Sequence, residues 1–224
     1  MQLLLSGMVP GVPVIPLIAD LPAFRPELAG YLLHGLAHRM PGRTLYACVV
    51  DPGVGTDRDV LVARCADEWW LAPDNGLLVP LLARHTDAQI FRLRWRPAGM
   101  SASFQGRDLF MPLAARLVCG DWPECEPVPP TELVNSHWPA DAWQVCYIDA
   151  FGNLITGVDA DMLSPTAMLQ VGDHRLSKAR TFADVGVGEA FWYRNAFGLL
   201  EAAVNQGRAD ERLGVGLGDA IALG

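Results

Sequence analysis

The sequence predicts an α/β N-terminal domain, a sheet flanked by helices, followed by a small all-β barrel domain. Three observations carry that expectation. Up to about residue 118, short β-type runs alternate with stretches of helical apolar spacing, the pattern of a sheet layered with helices. Asp121 to Pro139 then holds Pro123, Pro127, Pro129, Pro130 and Pro139 with little periodicity. Beyond it come short β-type runs separated by Gly and Asp turns, which suit a small barrel. The expected boundaries are 1–122 for the first domain, 123–140 for a Pro-rich linker and 141–224 for the second domain.

In chain order, Val12 to Ile18 reads as a short β-type run. Arg25-Pro26-Glu27 opens a helix expected to run through about Arg39, with proline early, where its missing N–H costs least, and Pro41-Gly42 ends it. Tyr46 to Val50 is a buried strand that enters a glycine-rich turn. Val60 to Ala63 and Trp69 to Leu71 make a strand pair with Asp67-Glu68 at the bend. Asp74-Asn75 is placed as the cap of a helix, since Leu77, Leu78, Leu81 and Leu82 have helical spacing. Gln89 to Leu93 is the next strand, and Ser101 to Asp108 leads into a helix through about Val118. In the second domain the expected strands are Trp143 to Ile148, Leu154 to Val158, Met168 to Val171 and Phe191 to Arg194.

With 224 residues and 51% hydrophobic content, the chain can bury a full core. The formal charge is −8, and the 17 Lys and Arg residues are scattered, so no basic stripe exists to displace counterions from a phosphate backbone. Nucleic acid is excluded as a partner. The apolar stretch from Met1 has no basic region before it and is broken by Pro10, Pro13 and Pro16, so no membrane segment is expected and a cytoplasmic location is. Cys48, Cys65, Cys119, Cys125 and Cys146 are an odd set without a Cys-x-x-Cys pair, and are expected as reduced, mostly buried thiols.

The candidate active site is the turn Asp51-Pro-Gly-Val-Gly-Thr-Asp-Arg58. A strand running into such a turn puts a carboxylate at the carboxyl end of the sheet, where α/β folds bind ligands, and Arg58 can fold back to meet Asp51. Two further constellations accompany it. Phe104-Gln-Gly-Arg-Asp108 opens a helix whose first amides can face an anion or an oxygen nucleophile, and Asp149-Ala-Phe-Gly-Asn153 offers a carboxylate, an aromatic face and an amide. Taken singly, each has a bland alternative: a structural ion pair, a helix start, a tight turn. His34 and His38 stand four apart on the first helix, but without a His-Glu-x-x-His pattern or a third ligand they read as a solvated face, and no metal is expected. Gly214-Val-Gly-Leu-Gly218 reads as a turn between strands, and no phosphate-binding Gly-x-x-x-x-Gly-Lys or Gly-x-Ser-x-Gly elbow occurs.

In order along the chain, Val50-Asp-Pro-Gly-Val-Gly-Thr-Asp-Arg58, Ala72-Pro-Asp-Asn-Gly-Leu-Leu78, Ser103-Phe-Gln-Gly-Arg-Asp-Leu-Phe110, Ile148-Asp-Ala-Phe-Gly-Asn-Leu154 and Asn195-Ala-Phe-Gly-Leu-Leu-Glu-Ala-Ala-Val-Asn205 together resemble the S-adenosyl-L-methionine hydroxide adenosyltransferases, relatives of the fluorinase and chlorinase. The resemblance implies a two-domain subunit in a homotrimer, with the nucleoside between neighbouring subunits. It implies hydrolysis of S-adenosyl-L-methionine to adenosine and methionine by attack of water or hydroxide on ribose C5′, with S-adenosyl-L-methionine as substrate and no cofactor. It assigns Asp51 and Arg58 to the catalytic triad. It places Phe24, Phe104, Phe151 and Phe182 around adenosine with Asn153 beside it, the backbone near Val204 and Gln206 at the adenine edge, and Asp149 on the methionine amino group.

The chain departs from that pattern at three places. Gln105 stands where the family has a histidine in Thr-Phe-His-Gly-Arg-Asp, so this position orients water but takes up no proton. The family's Asn-Ser pair reads Asn195-Ala196, which removes a hydroxyl that would contact the methionine part. Family members begin with a strand and a Thr-Asp-Phe-Gly motif, whereas Met1 aligns inside the helix that follows it, and Met1 is expected to be an internal methionine of a longer gene product. Gln105, Ala196 and the missing start also motivate the rival reading, a non-catalytic adenosine- or S-adenosyl-L-methionine-binding paralogue.

Overall fold

The computed structural model describes residues 1–37, 40 and 43–224. It divides into two compact units, Met1–Gly30 with Met40–Trp138, and Tyr31–Arg39 with Pro139–Gly224.

The first unit is built on a mixed sheet of β1 (Leu45–Ala47), β2 (Val60–Cys65), β3 (Glu68–Pro73), β4 (Gln89–Leu93) and β5 (Cys125–Pro127), in the order β1-β3-β2-β4-β5. β1 runs parallel to β3, and the other neighbours are antiparallel. β2 and β3 form a hairpin that turns on Ala66-Asp67, with Glu68 already paired to Cys65. Helices α1 (Gln2–Met8), α3 (Val79–Leu82) and α4 (Met111–Val118) belong to this unit, whereas α2 (Pro26–Leu36) starts in it and runs on into residues of the second. Val60, Val62, Leu71 and Leu93 project from the sheet into one cluster with Leu109, Phe110, Leu113 and Leu117 from α4 and the turn before it. Burying such side chains contributes about 1.5–3 kcal/mol each, which is why the strands carry apolar residues on both faces.

Several elements differ from expectation for identifiable reasons. Val12 to Ile18 forms no strand: the prolines at 13 and 16 lack ladder donors, and Ile15 stays exposed. β1 ends at Ala47, although the Cys48 amide still donates to Leu71 O at 2.8 Å, and Val50 O is taken by the Asn75 side chain instead of a strand. Asp74 and Asn75 do not cap a helix. Asp74 accepts from the Val134 amide, and Asn75 bridges Val50 O and the Leu77 amide. The helix after them is the single turn α3, buried on every side, so its leucines reflect burial more than an amphipathic face. The first half of the expected linker belongs to the sheet, since β5 pairs with β4 and both Val128 and Leu133 are buried. The expected end of the first helix at Arg39, its Pro41-Gly42 stop and His38 lie outside the described residues.

The second unit holds two antiparallel sheets. One is ordered β10-β11-β7-β6, from β6 (Ala142–Ile148), β7 (Leu154–Asp159), β10 (Ala190–Arg194) and β11 (Leu199–Val204). The other is ordered β12-β8-β9, from β8 (Leu169–Val171), β9 (His174–Leu176) and β12 (Ile221–Leu223). Helix α5 (Ala209–Leu213) closes on Gly214, in the left-handed conformation, so the late glycine run caps a helix before β12. Bridges Gln144↔Ala220 and Lys178↔Trp192 connect strands and their flanks, but among the described residues the ladders do not close into a barrel. Register shifts in β6·β7 and β11·β7 bend the larger sheet. The core gathers Val145, Leu154, Val158, Val171, Trp192 and Leu200, and the Trp192 indole N–H is satisfied by Ala167 O at 3.0 Å.

All five cysteines are free. Cys65 and Cys146 are buried, which pushes both thiols up to about 12, whereas Cys119 is exposed. Among the described residues no helix is long and apolar enough to cross a membrane.

Candidate active site

β1 delivers the chain to the turn at residues 51–58, which is held by its own hydrogen bonds. Val54 N donates to Asp51 O, and Thr56 donates to Gly53 O through both its amide and its hydroxyl. The turn returns Arg58 to Asp51: Nε lies 2.7 and 2.8 Å from the two carboxylate oxygens, and Nη2 also meets Oδ2. The side chains are only 8% and 6% exposed, so this is a desolvated ion pair whose partners depend on each other. The Phe110 ring lies 5.2 Å from the guanidinium carbon and adds a cation–π face.

Gln105 completes the arrangement from the start of the α4 segment. Its Oε1 accepts from Arg58 Nη2 at 2.6 Å, and the residue is buried. Gly55 makes this meeting possible. Its φ is +88°, and a Cβ there would stand 2.9 Å from Ala102 O, so the turn at 51–58 lies directly against the loop before Gln105. A π-type turn at Gly106–Phe110 then leads into α4. The amides of Arg107 and Asp108 both donate to Phe104 O, so these two do not face an open anion site. Asp108 instead accepts from the Ser101 amide at 2.9 Å and pairs with Arg107, which holds its carboxyl down at about 2.

In the second unit, Asp149 organises the loop between β6 and β7. Its Oδ1 accepts from the amides of Phe151 and Asn153, both at 2.9 Å, and its Oδ2 accepts from the Asn153 side chain at 3.0 Å. Gly152, at φ +84°, is pressed against residues 208–210: a Cβ would meet Asp210 Oδ1 at 2.7 Å, and Gly152 O takes the amides of Ala209 and Asp210. Phe151 is thereby held 76% exposed while Asn153 is buried.

The remaining expected residues divide by exposure. Phe24 is 79% exposed and sits at φ +62°, an unusual backbone for an aromatic residue, and Phe104 is 46% exposed under the Arg107 guanidinium. Phe182 packs edge-on against Phe191 and Tyr193. Val204 is buried at the end of β11, and Gln206 turns the chain there with φ +55°. Asn195 is buried with its amide committed internally: Oδ1 takes the amides of Phe197 and Leu199, and Nδ2 donates to Glu201.

Sequence reasoning missed Tyr193, Glu201 and Arg96. Glu201 was detectable as the lone charge in an otherwise apolar strand, Leu-Leu-Glu-Ala-Ala-Val. It accepts from the Tyr193 hydroxyl and the Asn195 amide, and burial pushes its carboxyl up. Arg96 donates to Arg58 O at 3.2 Å; burial and the charge of Arg58 lower its pKa, and no sequence signal pointed to it.

Asp51, Arg58 and Gln105 thus form a desolvated Asp–Arg pair with a side-chain amide on its guanidinium, in the turn that follows β1. The chain belongs to the S-adenosyl-L-methionine hydroxide adenosyltransferase family: that family's N-terminal domain matches residues 1–125 and its C-terminal domain residues 143–222. It is similar to the (R)-S-adenosyl-L-methionine hydrolase of Salinispora tropica, 34% identical over 79% of this chain and 73% of the relative. The (R)-S-adenosyl-L-methionine hydrolase of Thermus thermophilus is 33% identical over 98% and 91% respectively. Among solved structures, an uncharacterized conserved protein from Thermotoga maritima superposes with a TM-score of 0.84 at 27% identity, covering 99% of this chain and 92% of that one. A conserved hypothetical protein from Thermus thermophilus gives 0.77 at 32% identity, covering 99% and 91%.

Proposed function

We infer that this chain hydrolyses S-adenosyl-L-methionine to adenosine and methionine. The observation that carries the reading is the Asp51–Arg58–Gln105 arrangement, in a chain whose curated relatives are hydrolases of this substrate. Water oxygen attacks ribose C5′, the C5′–S bond breaks with its electron pair going to sulfur, and methionine leaves as a neutral thioether. That departure needs no acid, and we assign no cofactor. The burden falls on the nucleophile, which must be held in line and stripped of part of its proton.

Arg58 fixes the orientation of Gln105: because Oε1 faces the guanidinium, Nε2 remains the donor. In the proposed arrangement a water accepts from Gln105 Nε2 and donates to Asp51, while Arg58 supports the hydroxide character that develops. Its proton passes to Asp51 or solvent, since Gln105 has no site for it.

By the same reading, Phe24, Phe104, Phe151 and Phe182 offer faces for adenosine with Asn153 beside them, and the backbone at Val204 and Gln206 meets the adenine edge. Asp149 takes the methionine amino group, and Asn195 shapes the turn that follows. The exposure of Phe24, Phe104 and Phe151 supports a homotrimer in which neighbouring subunits cover them. Incubation of the purified protein with S-adenosyl-L-methionine is expected to release adenosine and methionine in equal amounts. Binding of the substrate with no release would instead favour the non-catalytic paralogue.

A further inference from the structure

We propose that Asn75 is a positioning residue for the turn at 51–58: its side-chain amide holds the Val50 carbonyl and so sets where the Asp51 carboxylate stands. The consequence for turnover rests on the hydrolase reading above. The hold on the turn does not.

The sheet order puts this residue where both ends of the turn can be reached. β3 lies between β1 and β2, and residues 51–58 connect those two strands, so the turn passes the carboxyl end of β3. Backbone groups of successive strand residues point in alternate directions, and the Leu71 carbonyl faces β1, where it accepts from Cys48 N at 2.8 Å. Residue 74 therefore faces β2, and its amide donates to Asp59 O at 3.0 Å, next to Arg58. The next β3 donor toward β1 falls at Pro73, which has no N–H, so the parallel ladder stops there. Asn75 resumes the connection with its side chain: Nδ2 donates to Val50 O at 2.8 Å, one residue before Asp51. Asp74 and Asn75 thus tie the residues that flank Asp51 and Arg58.

The amide is aimed, and its base is fixed. The Leu77 amide donates to Asn75 Oδ1 at 3.2 Å, which leaves Nδ2 as the end that faces Val50. Asn135 Nδ2 donates to Asn75 O at 3.2 Å, and the Val134 amide donates to Asp74 Oδ1 at 3.0 Å. Gly76, at φ +97°, lies against the Trp138 ring, where a Cβ would stand only 2.5 Å from the nearest ring carbon. Asp51 has no comparable support of its own. Among the described residues its carboxylate is hydrogen-bonded to Arg58 alone, and Arg58 divides its donors between Asp51 and Gln105. The direction of the carboxylate toward the proposed water therefore depends on where its backbone is held, and the bond to the Val50 carbonyl is the hold on that side.

Asn75→Asp and Asn75→Ser separate this long-range bond from the local turn. Both still accept from the Leu77 amide, but an ionised carboxylate has no donor and a serine hydroxyl is too short to reach Val50. In either variant kcat for S-adenosyl-L-methionine hydrolysis is expected to fall about tenfold or more, with KM changed by less than about twofold, the pattern of a misplaced reacting group rather than of lost binding. Asn75→Ser combined with Asp51→Asn should lose no more than Asp51→Asn alone. Amide hydrogen exchange needs no substrate. The amides of Val54 and Thr56, which close the turn, should exchange up to about tenfold faster in Asn75→Ser, while those of the β2–β3 ladder stay unchanged. Asn75→Ser carries the test even where Asn75→Asp folds poorly. Unchanged exchange in the turn, an equal rise in the ladder, an unchanged kcat in an active protein, or independent losses in the double variant would overturn the assignment. Faster exchange confined to the turn, in a protein without turnover, removes only the hydrolysis, and turnover with unchanged exchange removes only the role of Asn75.

Discussion

Arg58 joins Gln105 to Asp51: Nη2 donates to Gln105 Oε1 at 2.6 Å while Nε spans both oxygens of the carboxylate. One guanidinium thus orients both the group proposed to accept from water and the group proposed to donate to it. An imidazole at position 105 would add a proton acceptor to the same frame. Gln105→His is expected to raise turnover about tenfold or more and to give the pH–rate profile a new ionisation near or below the ordinary histidine value of about 6.5, because Arg58 disfavours the imidazolium. Gln105→Ala should lower turnover. An unchanged rate and profile in Gln105→His would mean that this position does not face the nucleophile.

Removing either partner of the buried pair has unequal effects. Arg58→Ala leaves the Asp51 carboxylate desolvated and alone, at a cost of about 3–5 kcal/mol in stability, seen as a lower urea midpoint. Asp51→Asn keeps the shape, unfolds less easily than Arg58→Ala, and should lower turnover by about a hundredfold or more. Equal stability of Arg58→Ala and the wild-type protein would show the pair to be solvated.

Gly55 and Gly99 separate backbone strain from close contact. Both have positive φ, but a Cβ at Gly55 meets Ala102 O at 2.9 Å, whereas one at Gly99 meets nothing within 4 Å. Each alanine variant should lose about 1–2 kcal/mol from the left-handed backbone. Only Gly55→Ala should also slow turnover, by pushing the loop before Gln105 away from Arg58. Equal kinetic effects in the two variants would remove that link.

Burial pushes the Glu201 carboxyl above its ordinary 4.5. A group that holds its proton more tightly in the folded state contributes stability that is fully present below its unfolded pKa and lost as pH rises through the folded value. Glu201→Gln does not titrate there. The stability of the wild-type protein relative to this variant should therefore fall as pH rises from about 4.5, in urea unfolding at a series of pH values. A difference that stays constant with pH would contradict the raised pKa.

The parts of the fold legible in the sequence were those with strong local periodicity or turn chemistry. Gln89 to Leu93 is a strand with the expected bounds, and the helix ending at Val118 stops where expected. Less legible were elements decided by partners distant in sequence. Cys125–Pro127 looks like a linker because Pro127 and the prolines around it advertise a loop, yet its pairing with β4 makes it a sheet edge, where proline is tolerated. His174–Leu176 and Ile221–Leu223 are too short to show a period and exist because β8 lies between them. At the site, the return of Arg58 to Asp51 follows from the turn itself, but its contact with Gln105 bridges 47 residues and needs Gly55 against Ala102. Glu201 could be suspected as an isolated charge in a buried strand, whereas its partner Tyr193 is fixed only by strand register.

In the proposed reaction water attacks the ribose carbon. Reaction of the protein with S-adenosyl-L-methionine in ¹⁸O-labelled water tests it most directly, with both products analysed by mass spectrometry. Adenosine is expected to carry one ¹⁸O at its 5′ hydroxyl and methionine to stay unlabelled. Unlabelled adenosine, label in the methionine-derived product, or no adenosine at all would contradict it.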